Sequence, residues 1–268
     1  MTCKLLEHIV DSNIRTHLDK HQILIDAQHG FRQKKSCESQ LITTIRDFTN
    51  CLDRKEQIDA ILLDFSKAFD KVDHQILISK LHNYGIQHST LNWLKSFLSN
   101  REQTVVVDGS ESSPLPVLSG VPQGTVLGPL LFLVYINDIS ADLSPGTKIR
   151  LFADDSLLYR TISTPDDSRT LQKDLDVLQN WETANKMEFH PGKCENLRIT
   201  NLSTASQIKA DYKYTRPHLC TPIPLSTCTL ESLLTPTSNG TSIKPILFPK
   251  PTRHWPSCVG ISPFVRSM

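Results

Sequence analysis

IRLFADDSLLYR, residues 149–160, is the stretch whose reading decides the fold. Two apolar runs flank a polar point, and the pattern predicts a β-hairpin whose turn carries the adjacent carboxylates Asp154 and Asp155. Neighbouring Asp residues in a turn ordinarily hydrogen-bond their own backbone, so the pair alone decides little. About ninety residues earlier, however, IDAILLDFSKAFDKVDH (58–74) ends an apolar run of strand length at Asp64. A third acidic residue at a strand end changes the reading.

Three carboxylates at one point need a reason. Two like charges about 4 Å apart repel by about 4 kcal/mol at an effective dielectric near 20, so such a cluster takes up protons or binds cations. Oxygen donors with no Cys in these segments, and with the one His, His74, ten residues past Asp64, select Mg²⁺ or Mn²⁺ over zinc. Two such ions, roughly 3.5–4 Å apart, can activate an attacking hydroxyl and steady a leaving pyrophosphate.

Four segments in order carry a resemblance: LLDFSKAFDKVDH, SGVPQGTVLGPLLFLVYINDI, LFADDSLLYR and MEFHPGKCENLRI. Together they resemble the successive motifs of a reverse transcriptase of the type encoded by non-LTR (LINE-like) retrotransposons, over about residues 2 to 200. The resemblance implies an α+β fold: a polymerase right-hand palm, an antiparallel sheet with helices on one face, plus partial fingers and no recognisable thumb. It implies partial fingers in 1–57 and the palm with its catalytic carboxylates in 58–202, and leaves a tail in 203–268 unexplained. It implies an RNA-directed DNA polymerase, a nucleotidyltransferase that joins deoxynucleoside triphosphates to a primer 3′-hydroxyl on an RNA or DNA template. The rival is a catalytically inactive palm remnant that at most binds nucleic acid.

The same resemblance assigns residues. Asp64, Asp154 and Asp155 are the expected ligands of two Mg²⁺ (or Mn²⁺) ions, with the backbone carbonyl of Phe65 as a supplementary ligand. Phe69, five residues past Asp64, matches the aromatic that sits under the sugar and excludes a 2′-hydroxyl. Asp70 and Asp73 fall near the same turn, and Asp73 reads instead as the N-cap of the next helix. In AQHGFRQKKSCESQL (27–41), Arg32 matches an arginine that contacts the incoming triphosphate, a task suited to a planar fork of donors. Gln123 and Gly124 lie in the Gly/Pro loop that meets the nucleotide and template. Lys193, after the Pro191-Gly192 turn, matches a lysine placed to protonate or neutralise pyrophosphate. Phe152 departs from the commoner Tyr, keeping the ring and losing the hydroxyl.

Between these motifs, periodicity predicts helices over Cys3–Lys20 with Leu5, Leu6, Ile9 and Leu18 inward, from Ser36 onward, up to Gly85, over Ser89–Ser99, from Pro129 through Ile136 and up to about Asn185. Asp108-Gly109 is a hairpin signal. The formal charge of +1 makes no global case for nucleic acid, so any phosphate-binding surface is local. Seven cysteines without a CxxC pair indicate neither a zinc module nor a disulfide framework. The longest uncharged apolar run, VLGPLLFLVYI, is about half a membrane span, and the expectation is an intracellular protein without a membrane partner. Past Tyr212 the chain holds nine of its sixteen prolines and a single acidic residue, Glu231. That composition points to a tail of low order, read as out-of-frame translation beyond about Leu202.

Overall fold

The structure is a computed structural model, and it describes residues 2–203, 205–216 and 219–228. The described residues fall into two compact units, one of 2–23 with 69–135 and one of 24–68 with 136 onwards.

The second unit is built on a five-stranded sheet. Strand β1 (Gln57–Asp64) is central and pairs antiparallel with β7 (Asp155–Ile162) on one side and β8 (Glu195–Ile199) on the other. Strand β6 (Lys148–Phe152) forms the outer arm of the predicted hairpin, and β11 (Leu225–Cys228) adds to β8 in parallel at the opposite edge. Alternation divides β1 between two faces. Ile58 and Ala60 pack with Leu157, Tyr159, Leu197 and Ile199 under Phe48, Cys51 and Leu52 of α2 (Cys37–Asp53). On the other face Phe65 meets Trp181 of α6 (Pro165–Ala184), whose Leu171, Leu175 and Leu178 are buried. Burial on both faces is why β1 reads as a continuous apolar run. It also corrects the expectation of helices on one face: α6 lies opposite the carboxylates as expected, while α2 packs on the face to which Asp64 belongs.

Local signals explain the element ends. Ser36 caps α2, accepting from the Ser39 N–H in a reciprocal box. The box of Thr164 and Asp167, with Pro165 at the first position, starts α6.

In the first unit, α1 (Thr2–Lys20) buries Glu7, Ile14 and Leu18 and leaves Leu5, Leu6 and Ile9 exposed. Leu18 thus faces inward as expected while Leu5, Leu6 and Ile9 do not, the phase being set by the later half of the helix. Asp73 caps α3 (His74–Asn83) through the N–H groups of Gln75 and Ile76, and α3 packs on α4 (His88–Leu98). Short ladders join β2 (Glu102–Gln103) to β5 (Leu115–Pro116) and β3 (Val106–Val107) to β4 (Ser110–Glu111), the latter around the Asp108-Gly109 turn. Helix α5 (Leu127–Ile136) follows the Gly/Pro loop; Glu7 accepts the N–H groups of Val126 and Leu127 at its start. No described helix is long and apolar enough to cross a membrane.

The low-order tail does not begin at residue 203. Tyr212 and Tyr214 are each 1 % exposed. The Tyr212 hydroxyl donates to Asp59 at 2.9 Å, where Arg198 also makes a two-nitrogen ion pair. Gln57 adds a further bond to Asp59 and exchanges two with the backbone of Ile208. A fully buried carboxylate needs such partners, and the segment after β8 supplies one, a requirement that composition does not register. Strands β9 (Lys213–Arg216) and β10 (Leu219–Pro222) then pair antiparallel. The remainder of the expected tail, from 229 on, lies outside the described residues.

Candidate active site

The site is built from two strand ends. In the β1–β7 register Asp64 stands directly opposite Asp155, and the adjacent turn holds Ala153 and Asp154. Burial and then the neighbouring charges of Asp154 and Asp64 push the Asp155 carboxyl up to about 7, against a smaller opposing effect of Lys193. Burial likewise raises Asp154, with Asp64 contributing. The cluster thus carries the repulsion that like charges at close range require.

Lys193 answers part of it. Its Nζ donates to Asp64 Oδ2 at 2.9 Å, a bond that raises the ammonium's own affinity for its proton. The lysine is delivered by a single 3₁₀ turn, Pro191–Lys193, between α6 and β8. Backbone bonds tie this loop to the end of β1: the Ser66 N–H donates to the Glu188 carbonyl and the His190 N–H to the Asp64 carbonyl. These flank the Phe65–Phe189 bridge, a pairing that turns the Phe65 carbonyl away from the loop.

The donors are carboxylate oxygens and one main-chain carbonyl, the chemistry that Mg²⁺ or Mn²⁺ takes. Asp64 is engaged by Lys193, and among the described residues no three Asp, Glu, His or Cys side chains converge as a ready cage for an ion.

A residue that sequence reasoning passed over holds the turn. Gln28, 3 % exposed, accepts the Ala153 N–H at 2.9 Å and the Gly30 N–H at 2.7 Å through Oε1, and donates to the Ala153 carbonyl at 3.1 Å. Ala153 has φ 55°, a left-handed conformation that costs a non-glycine residue energy. Gly30 lies against it so closely that a Cβ would sit 2.2 Å from the Ala153 nitrogen. Main-chain bonds from His29 to Leu151 and from Leu151 to Ala27 complete the seam. The signal was the QHGF order, legible only once the glycine has something to approach.

Arg32 is placed in the same unit, with Nη1 donating to the carbonyls of Leu24 and Ile25. Phe69, Gln123 and Gly124 belong to the other unit. There Phe69 stacks on Phe132 at 4.4 Å and stays partly exposed. Gln123 donates to Asp70 Oδ1 at 3.0 Å, and both Gln123 and Gly124 are exposed. Asp70 is thus a loop fastener that the sequence reading left without a role.

The sequence profile of the family described as reverse transcriptase (RNA-dependent DNA polymerase) matches residues 1–217. The chain is 34% identical over 220 residues to a probable RNA-directed DNA polymerase from transposon BS of Drosophila melanogaster, covering 77% of this chain and 23% of that protein. It is 30% identical over 205 residues to the RNA-directed DNA polymerase from mobile element jockey of Drosophila funebris, covering 74% of this chain and 22% of the relative. It therefore spans less than a quarter of the length of either. Among solved structures, telomerase from Candida albicans in complex with a fragment of telomeric RNA aligns with TM-score 0.58 and 12% identity, over 88% of this chain and 38% of that one. Apo telomerase from Candida tropicalis aligns with TM-score 0.56 and 12% identity, over 78% and 38%. These structural likenesses give the fold; the profile match over most of the length shows that the chain belongs to the reverse transcriptase family.

Proposed function

We propose that the chain is the palm and part of the fingers of a retrotransposon RNA-directed DNA polymerase, extending a primer 3′-hydroxyl with deoxynucleoside triphosphates along an RNA or DNA template. The observation that supports this best is the opposition of Asp64 and Asp155 at one sheet end, with Asp154 beside them and Lys193 on Asp64. Asp64, Asp154, Asp155 and the Phe65 carbonyl would hold two Mg²⁺ or Mn²⁺ ions. When bound, such ions supply Lewis acidity at the attacking hydroxyl and charge balance at the leaving pyrophosphate.

The residues of the chain do the rest. Asp64 and Asp155, rooted in paired strands, fix where the attacking oxygen and the α-phosphorus meet, and positioning of this kind is a large part of the rate. Lys193 balances the charge of Asp64. With substrate present it hands its N–H to the pyrophosphate oxygens, as a proton donor or a fixed charge. Arg32 holds the triphosphate with the fork of its guanidinium. For Phe69 the resemblance supplies sugar selection, and for Gln123 and Gly124 contact with nucleotide and template.

The test is Mg²⁺-dependent extension of a primed RNA template by the purified chain and by its Asp154→Asn variant. Extension that the substitution abolishes is the expected result. No extension by the parent, or equal extension by both, would refute the reading.

A further inference from the structure

We infer that Glu182 and Tyr214 form a buried latch that positions the Asp64–Phe65 strand end and the Lys193 turn, so that the segment following β8 is part of the catalytic scaffold. Glu182 stands near the C-terminus of α6, 6 % exposed. Its carboxylate accepts the Phe189 N–H at 2.6 Å and the Tyr214 hydroxyl at 2.6 and 2.5 Å. Hydrogen bonds in a dry setting are stronger than in water, and these tie three separate pieces of chain: α6, the loop before Lys193 and strand β9.

The consequence reaches the site through Phe189. Its ring is fully buried, stacks on Phe65 at 4.3 Å with an interplanar angle of 20°, and meets the Tyr214 ring edge-on at 6.4 Å. Its backbone is the bridge partner of Phe65, and on either side of that bridge lie the bonds from Ser66 to Glu188 and from His190 to Asp64. Three residues past His190 comes Lys193, whose own N–H donates to the His190 carbonyl and whose Nζ reaches Asp64. Fixing the Phe189 amide therefore fixes the height of both the carboxylate and the lysine. Glu182 and Tyr214 act through Phe189 and are positioning residues.

The assignment rests on the polymerase reading for its kinetic arm only. Tyr214→Phe keeps the ring contacts and removes the hydroxyl, Glu182→Leu removes the acceptor, and Glu182→Gln keeps an acceptor oxygen. Amide hydrogen exchange on the metal-free chain should show at least ten-fold faster exchange at Ser66, His190 and Lys193 in Tyr214→Phe and Glu182→Leu, with Glu182→Gln close to the parent. Primer extension below the melting transition should then show turnover falling about ten-fold or more in the same two variants, at little change in the KM for nucleotide. Unchanged exchange at these amides in a folded Tyr214→Phe protein would overturn the latch. So would a lower melting temperature with parental turnover, since a merely structural role predicts that pattern. A parent chain without extension activity would count against the polymerase reading alone, because the exchange arm stands without it.

Discussion

Gln28 makes the sharpest case at the scale of single residues. Its amide serves two N–H groups and one carbonyl at the turn that carries Asp154, and a buried group left without a partner costs about 1–3 kcal/mol. Gln28→Leu should therefore destabilise the chain by at least ~2 kcal/mol in denaturant titration; a change under about 0.5 kcal/mol would show the turn holds itself. His29 beside it is held below the usual imidazole range by burial and then by the charge of Lys35. The unfolded chain then binds the proton more readily, so stability is full above the unfolded value of about 6.5 and is lost as pH falls from there toward the folded value. A His29→Gln protein should lack that slope, and identical pH profiles for the two would refute the assignment. Phe69 has one face on Phe132 and is partly exposed. If it walls the sugar, Phe69→Val should reduce discrimination against ribonucleotides by roughly 10- to 200-fold, measured as the ratio of kcat/KM for dNTP and rNTP. An unchanged ratio would remove Phe69 from that role.

Elements were legible where two local signals agreed. The 149–160 hairpin, the caps at Ser36 and Asp73 and the start of α5 near Pro129 each combine a periodicity with a stop or start residue, and each is found. Helix α1 was legible in extent and misread in facing, because Leu5, Leu6 and Ile9 form an apolar stripe that the first unit leaves exposed, while the charged Glu7 is drawn inward to the start of α5. Sequence pattern assumes that apolar residues face in, and a carboxylate that caps another helix defeats it. The Asp64–Asp155 pairing was foreseen as a meeting of strand ends, but its supports were not: Gln28 and Glu182 work through backbone groups, which leave no periodic trace.

On the scale of the whole molecule, the main misreading is the boundary at Leu202. Proline content argued for an unpacked tail, yet the buried Asp59 on β1 draws Tyr212, Gln57 and Arg198 around it. Breaking one side of a buried ion pair strands the other charge at a cost of about 3–5 kcal/mol. Arg198→Met should lower stability by that amount in denaturant titration, and a loss below about 1 kcal/mol would mean that the neighbours of Asp59 suffice without it. The proposed polymerase chemistry requires the carboxylate cluster to be a cation site. Its most direct test is the melting temperature of the purified chain with and without Mg²⁺, beside that of Asp154→Asn. Binding to the folded state alone contributes about 2.7 kcal/mol at a hundred times the dissociation constant, so the parent should melt several degrees higher in Mg²⁺ and the variant should lose most of that rise while its metal-free melt stays cooperative. An equal rise in both proteins, or none in the parent, would contradict the claim.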